Sequence, residues 1–208
     1  MIIQKFVVGP LENNCFVIGD EDSKEAFVVD PGDEPDRILD FIKDKGLDLK
    51  YIVCTHAHFD HVAAVPEIKE GTGAKIVLHR NDLELYNHIE MQGLVFGIEF
   101  EPLPQPDMLA EEGASLVVGK LRFEVLHTPG HTPGGICLYG ESMLFTGDTL
   151  FAGSVGRTDL HGGSLGELKG SFKRLMSLPD SVSVLPGHGP ESSIGKERRD
   201  NFFASEVR

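Results

Sequence analysis

The sequence predicts an α/β fold in which two β-sheets pack face to face and helices cover their outer faces. Three observations lead there. Apolar runs of strand length recur along the whole chain. Segments with helical periodicity interleave with them. Each half runs from strands into helices, with no internal repeat and no low-complexity linker between the halves. A chain of 208 residues, 40% of them hydrophobic, has enough apolar material for one large core, so residues 1–208 are expected to form a single domain.

The first elements read as a meander of strands at 2–8, 15–18 and 26–29, the last two separated by the turn-forming Gly19-Asp20-Glu21-Asp22-Ser23. Val28-Val29-Asp30-Pro31-Gly32 then ends a strand on a carboxylate and a turn. Pro35 opens a helix whose Ile38, Leu39, Phe41 and Ile42 form an apolar face, and Gly46 closes it. A buried strand at 50–54, a short helix near 63–70 and a strand at 75–78 follow. Residues 81 to about 91 are expected to be helical. Pro102, Pro104 and Pro106 exclude a regular helix beyond, which leaves a loop over the site.

Strands 115–118 and 121–126 face each other across the two-residue turn Gly119-Lys120, with Leu121, Phe123 and Val125 alternating against Arg122 and Glu124. A second hairpin, 136–139 with 143–146, turns at Gly140-Glu141-Ser142. Ser164 and Glu167 form a capping box for a helix with Leu165, Leu168, Phe172, Leu175 and Met176 on one face. A strand at 182–185 and a short helix from about 193 complete the chain, where Phe202 and Phe203 are expected to dock the terminus.

Charge narrows the function. With 19 Lys+Arg against 33 Asp+Glu the formal charge is -14, which cannot supply the basic face that a nucleic acid or an anionic membrane requires. Cys15, Cys54 and Cys137 are odd in number and lie within apolar runs, so they are expected to be buried free thiols, consistent with a reducing cytoplasm. The opening apolar run is too short for a signal peptide, and no stretch reaches the roughly 18 apolar residues of a membrane span.

The chemistry concentrates at strand ends. Thr55-His56-Ala57-His58-Phe59-Asp60-His61 directly follows the apolar run 51–54. His56, His58 and Asp60 alternate as on a strand, and His61 breaks the alternation, which implies a turn that fans these groups around more than one point. Imidazoles gain nothing from such proximity unless a cation holds them. The pattern of strand, turn and ligand-type residue then repeats at His127-Thr-Pro-Gly-His131, at Gly147-Asp148-Thr149 and at Pro186-Gly187-His188-Gly189. Five histidines and two or three aspartates exceed the needs of one tetrahedral ion and suit two ions sharing a carboxylate. His79, His88 and His161 stand outside this pattern and read as surface or hydrogen-bonding residues. His127 is intermediate and is expected to support a ligand from behind.

Thr-His-x-His-x-Asp-His, Thr-Pro-Gly-His, Gly-Asp-Thr and Pro-Gly-His-Gly, in this order over nearly the whole chain, resemble the motifs of the metallo-β-lactamase superfamily, and within it the glyoxalase II group of hydroxyacylglutathione hydrolases. The resemblance implies a four-layer αββα sandwich with its site along one edge of the two sheets. It implies that His56, His58 and His131 bind one metal ion, that Asp60, His61 and His188 bind a second, and that Asp148 bridges them. Asp60, His61 and Asp148 become the catalytic candidates, and Asp30 the aspartate that supports the ligands. The cofactors are then two divalent ions, zinc first, with iron and manganese accepted by the same ligand types.

The implied activity is hydrolysis of small thioesters, above all S-D-lactoylglutathione. The nucleophile is a metal-bridging hydroxide, because two such ions lower the pKa of a bridging water from 15.7 toward about 7. About twenty residues follow His188, so the carboxy-terminal helical domain with which longer glyoxalase II enzymes grip glutathione is not expected, and the chain resembles the short bacterial proteins of the group. Gly156-Arg157-Thr158-Asp159 is shared with persulfide dioxygenases of the superfamily, which use one iron, and this makes them the alternative reading. Arg157 is the candidate for contact with a substrate carboxylate in either case. A non-catalytic metal-stabilised scaffold is the remote third reading.

Overall fold

A computed structural model describes residues 1–207, the Val95 side chain excepted. The first sheet contains β1 (Ile2–Val8), β2 (Asn13–Gly19), β3 (Glu25–Val29), β4 (Asp48–Val53), β5 (Lys75–His79) and β6 (Met108–Ala110), in that order. The second has the order β14 (Ser192–Ser193), β13 (Ser183–Pro186), β10 (Met143–Gly147), β9 (Ile136–Gly140), β8 (Leu121–His127) and β7 (Ser115–Val118). A two-stranded ribbon pairs β11 (Leu150–Phe151) with β12 (Ser154–Val155). The helices are α1 (Pro35–Asp44), α2 (Phe59–Val62), α3 (Val65–Thr72), α4 (Leu83–Asn87), α5 (Ile89–Phe96), α6 (Leu165–Leu175) and α7 (Ile194–Asp200).

Period-two alternation builds the layers. Phe16, Ile18, Phe27, Val29, Val53 and Val77 face the second sheet, where they meet Phe123, Val125, Leu138 and Phe145. Their neighbours Cys15, Val17, Ala26, Val28, Ile52 and Ile76 point the other way, onto Ile38 and Ile42 of α1 and Val65 and Ile68 of α3. Strands buried on both faces need continuous apolar runs, which is why β2 to β4 read as they do. On the far side, Leu126, Cys137, Leu144 and Val184 pack on Leu168, Phe172 and Leu175 of α6. The layers are therefore helix, sheet, sheet, helix, the αββα sandwich of the metallo-β-lactamase fold.

The predicted hairpins are present. Val118 pairs with Leu121 across Gly119-Lys120, and Met143 with Gly140 across Glu141-Ser142, both of which take positive φ. Ser164 accepts a hydrogen bond from the Glu167 N–H at the start of α6. Three expectations need correction. The helix expected over 81–91 is a 3-10 turn at Arg80–Asp82 followed by α4 and α5, broken at His88, which takes a non-helical conformation. The segment following those helices ends in β6, which the sequence did not announce. At the carboxyl end, Phe203 is buried against Phe172 with ring centroids 5.4 Å apart, whereas Phe202 is 63% exposed and docks nothing.

Within the first sheet β3, β4, β5 and β6 run parallel, and in the second β8, β10 and β13 share one direction because β9 is antiparallel to both its neighbours. The carboxyl ends of β3, β4, β8, β10 and β13 meet at one edge of the sandwich. That is where α/β sheets place their sites.

Candidate metal centre

Every motif residue leaves its strand at that edge. His56 and His58 lie in the loop after β4, Asp60 and His61 in the short α2, His131 in the loop after β8, Asp148 directly after β10, and His188 after β13. The side chains form three groups whose nitrogen and oxygen atoms converge: His56 with His58 and His131, Asp60 with His61 and His188, and, behind these, Asp30 with His56 and His61. Asp148 stands between the first two. Its Oδ2 is 3.5 Å from His131 Nε2, and its Oδ1 is 3.5 Å from His61 Nε2 and 3.8 Å from His188 Nε2.

The hydrogen bonds behind these rings fix which nitrogen faces inward. Thr55 donates its hydroxyl proton to Asp30 Oδ2 at 2.7 Å and so accepts from His56 Nδ1 at 3.1 Å, leaving the His56 Nε2 lone pair inward. His61 Nδ1 donates to Asp30 Oδ2 at 3.0 Å, and His131 Nδ1 donates to the Arg157 carbonyl at 2.8 Å. Asp30 is buried and takes a left-handed φ of 52°, strain that its three bonds to Thr55 and His61 hold in place. It supports two histidines at once, as the resemblance implies.

The inward atoms suit a cation. Among the described residues, His56 Nε2 and Asp148 Oδ1 are buried with no hydrogen-bond partner. Orphaned buried acceptors cost about 1–3 kcal/mol each, more when charged. The residues present therefore fit a divalent metal centre.

Electrostatics distinguishes the first two groups. Burial, reinforced by neighbouring imidazoles, pushes His56 well below the usual histidine range and His58 down to about 3, so both are neutral ligands. For His61, burial opposes the charged form, but Asp60, Asp148 and Asp30 outweigh it and raise the ring to about 10. For His188 burial likewise opposes the charge, and its bond to Asp60 and the charge of Asp148 outweigh it; without a cation the second group therefore holds protons that an ion bound there would replace.

Two sequence candidates sit differently from expectation. The Arg157 guanidinium is exposed and bound bidentate to Asp159 at 2.7 and 2.8 Å, and its contribution to the ligand cluster is its main-chain carbonyl. His127 faces away from the cluster. Its Nε2 donates to the Pro133 carbonyl at 2.9 Å and its ring stacks on His79 at 4.0 Å, so it braces the loop that carries His131 and touches no ligand ring.

Other residues escaped the sequence reading. Asp82, fully buried, accepts from the Ala57 N–H at 3.1 Å, the Thr132 hydroxyl at 2.8 Å and the Gly134 N–H at 2.5 Å, tying the loop of His56 and His58 to that of His131. Asn14 donates to the Pro186 and Gly189 carbonyls, both at 2.9 Å, and so clamps the His188 turn. Gln92 on α5 bonds the Ala57 carbonyl at 2.9 Å and the Phe59 N–H at 3.0 Å. Asp82 shared one signal with Asp30 and Asp148, a carboxylate just past a strand end.

The fold and the converging donor groups define a metal-binding protein of the αββα type, and the chain belongs to the metallo-beta-lactamase superfamily, whose sequence profile matches residues 8–188. Among its relatives, hydroxyacylglutathione hydrolase GloC of Haemophilus influenzae (strain ATCC 51907 / DSM 11121 / KW20 / Rd) is 36% identical over 98% of both chains. The BLEG-1 B3 metallo-beta-lactamase superposes with a TM-score of 0.90 at 34% identity, covering 97% of this chain and 99% of its own. TTHA1623, solved in a di-iron-bound form, gives 0.88 at 40% identity, covering 96% and 99%.

Proposed function

We propose that this chain is a dinuclear metal-dependent hydrolase of small thioesters, with S-D-lactoylglutathione as the reference substrate. The observation that carries this reading is the position of Asp148, one oxygen toward each donor group. His56, His58 and His131 would hold one ion, Asp60, His61 and His188 the other, with Asp148 shared. Zinc is the first choice, and iron or manganese would suit the same donors. Bound there, the ions supply Lewis acidity toward a carbonyl oxygen and a water acidified to near-neutral pKa.

The chain's own residues do the positioning. Asp30 holds the His61 Nδ1 proton and the Thr55 hydroxyl, so that His61 and His56 both present Nε2 to the centre. Asp60, as a ligand of the second ion, would stay ionised and so carry no proton at neutral pH to give to a leaving group. A thiolate needs none, because thiols ionise near pKa 8.5, whereas an amine or alkoxide would. The name of the GloC relative and the di-iron form of TTHA1623 support the thioester and the count of two ions.

The test is a thioester assay with S-D-lactoylglutathione on zinc-loaded and iron-loaded protein, run beside an oxygen electrode with glutathione persulfide and a β-lactam arm. The expected result is thioester cleavage without oxygen consumption, reduced about 100-fold in His188→Ala. Iron-specific oxygen uptake with no thioester cleavage would overturn the reading in favour of a persulfide dioxygenase. β-Lactam cleavage exceeding thioester cleavage in every metal form would move the substrate class.

A further inference from the structure

The donor groups open into a cavity of about 910 Å³ whose lining includes His58, Asp60, His131, Asp148 and His188. Beyond the donors its apolar wall is made by Leu11, Phe59, Leu85, Met91, Phe96 and Leu160, with Glu84, His88, Gln92, Arg157 and His161 interspersed. Met91 and Phe96 are 62% and 57% exposed, an unusual state for two large apolar side chains on one short helix. α5 is nonetheless fixed in place. Gln92 ties it to the ligand loop at Ala57 and Phe59, and Phe96 packs on Phe59 with ring centroids 4.9 Å apart. The exposed apolar face is thus anchored to the residue between two metal-ligand candidates, His58 and Asp60.

Fixed charge along the same cavity is mostly acidic. Glu84, Asp60 and Asp148 are acidic, and Arg157, the one arginine or lysine among the described lining residues, already has both guanidinium edges on Asp159. Away from the donor groups the remaining polar lining, His88, Gln92 and His161, offers an anionic group no permanently charged partner. We propose that this wall receives the acyl group of the substrate, and that the preferred thioesters carry an extended apolar acyl chain or ring in place of a short hydroxylated one. This rests on the thioester reading of the metal centre. The acyl side is the one assigned because the thiol carriers of biological thioesters are polar, so the apolar part of such a molecule is its acyl group. A cavity of this size matches a drug-sized ligand, large enough for a thioester together with part of its carrier, and the apolar lining is the part of it that an acyl chain would cover.

Two measurements test it. The first is calorimetric binding of S-methyl-, S-hexyl- and S-decylglutathione, thioethers that cannot be hydrolysed, to metal-loaded and to chelator-stripped protein. Full burial of one methylene is worth about 0.8 kcal/mol, or about fourfold. On a half-open wall we expect roughly twofold tighter binding per methylene, in both forms of the protein. Met91→Ser with Phe96→Ser should flatten that dependence. Leu94→Ser, on the same helix but outside the cavity, should leave it unchanged. The second is kcat/KM for glutathione thioesters of acetyl, hexanoyl and decanoyl groups, expected to rise in the same order.

Affinities independent of chain length, or a dependence that survives Met91→Ser/Phe96→Ser, would overturn the proposal. A chain-length dependence in binding together with no cleavage of any thioester by any metal form would leave the wall standing and sink the thioester reading, so the two failures are distinguishable.

Discussion

Asp82 and Asp148 divide the work of the site between two buried carboxylates, and each supports a different prediction. Asp82 touches no ligand ring, yet three donors from both histidine loops converge on it. Burial outweighs those donors and raises its pKa, so the charge is kept at a cost that only the loop geometry justifies. Asp82→Ala should leave the Ala57 and Gly134 amides and the Thr132 hydroxyl unsatisfied and lose about 3–5 kcal/mol in urea unfolding. A loss under about 1 kcal/mol, with full metal content, would show that the loops hold themselves. Asp148 faces both donor groups, so Asp148→Asn should lower metal content from two equivalents to one or fewer by plasma emission spectroscopy. His79→Ala, which removes a ring stacked on His127 away from the cluster, should keep both. The reverse pattern would refute the ligand set.

At the scale of elements, the turn after β13 is the tightest part of the site. A Cβ on Gly187 would stand 2.5 Å from Asp148 Oδ1 and 2.7 Å from His61 Cε1. Gly187→Ala should therefore displace the shared carboxylate and the second donor group while leaving His56, His58 and His131 in place. We expect one metal equivalent to be lost while far-ultraviolet circular dichroism is retained, and two retained equivalents would show that the turn yields. Strand ends such as this one were legible because their signals are local: an apolar run, then a turn residue, then a ligand type. β6, β11 and β12 were not legible. They have three, two and two residues, too few to show a period; β6 exists through pairing with the sequence-distant β5, and β11 and β12 only through pairing with each other. α5 failed for another reason. Glu90 and Gln92 alternate with apolar residues, and Met91, Leu94 and Phe96 lie exposed, so Ile89–Phe96 shows no separation of polar and apolar faces from which an amphipathic helix could be read. Arg157 shows the limit for side chains: its motif marks the right loop, but only in the folded chain does the backbone carbonyl serve His131 while the guanidinium serves Asp159.

For the molecule as a whole, the centre is also a cross-link. His56, His58, Asp60 and His61 follow a strand of the first sheet, whereas His131, Asp148 and His188 follow strands of the second. The inner core joins the same two sheets through Phe27, Phe123 and Phe145, with Phe27 and Phe123 centroids 5.1 Å apart, so the sandwich does not depend on metal to exist. It should depend on metal for its margin. Each ion that binds only the folded chain stabilises it by about 2.7 kcal/mol when free metal is 100 times its dissociation constant, so two contribute about 5.4 kcal/mol. In a chain of this length that corresponds to roughly 10–20 °C in Tm. Calorimetry of zinc-loaded protein, of chelator-stripped protein and of stripped protein with zinc restored should show a fall of that size and its recovery. His58→Ala should lower the Tm of the loaded form and shrink the effect of chelation. An unchanged Tm on complete removal of metal, verified by elemental analysis, would mean that the two sheets are held by their apolar interface alone and that the convergent lone pairs cost the fold less than their burial implies.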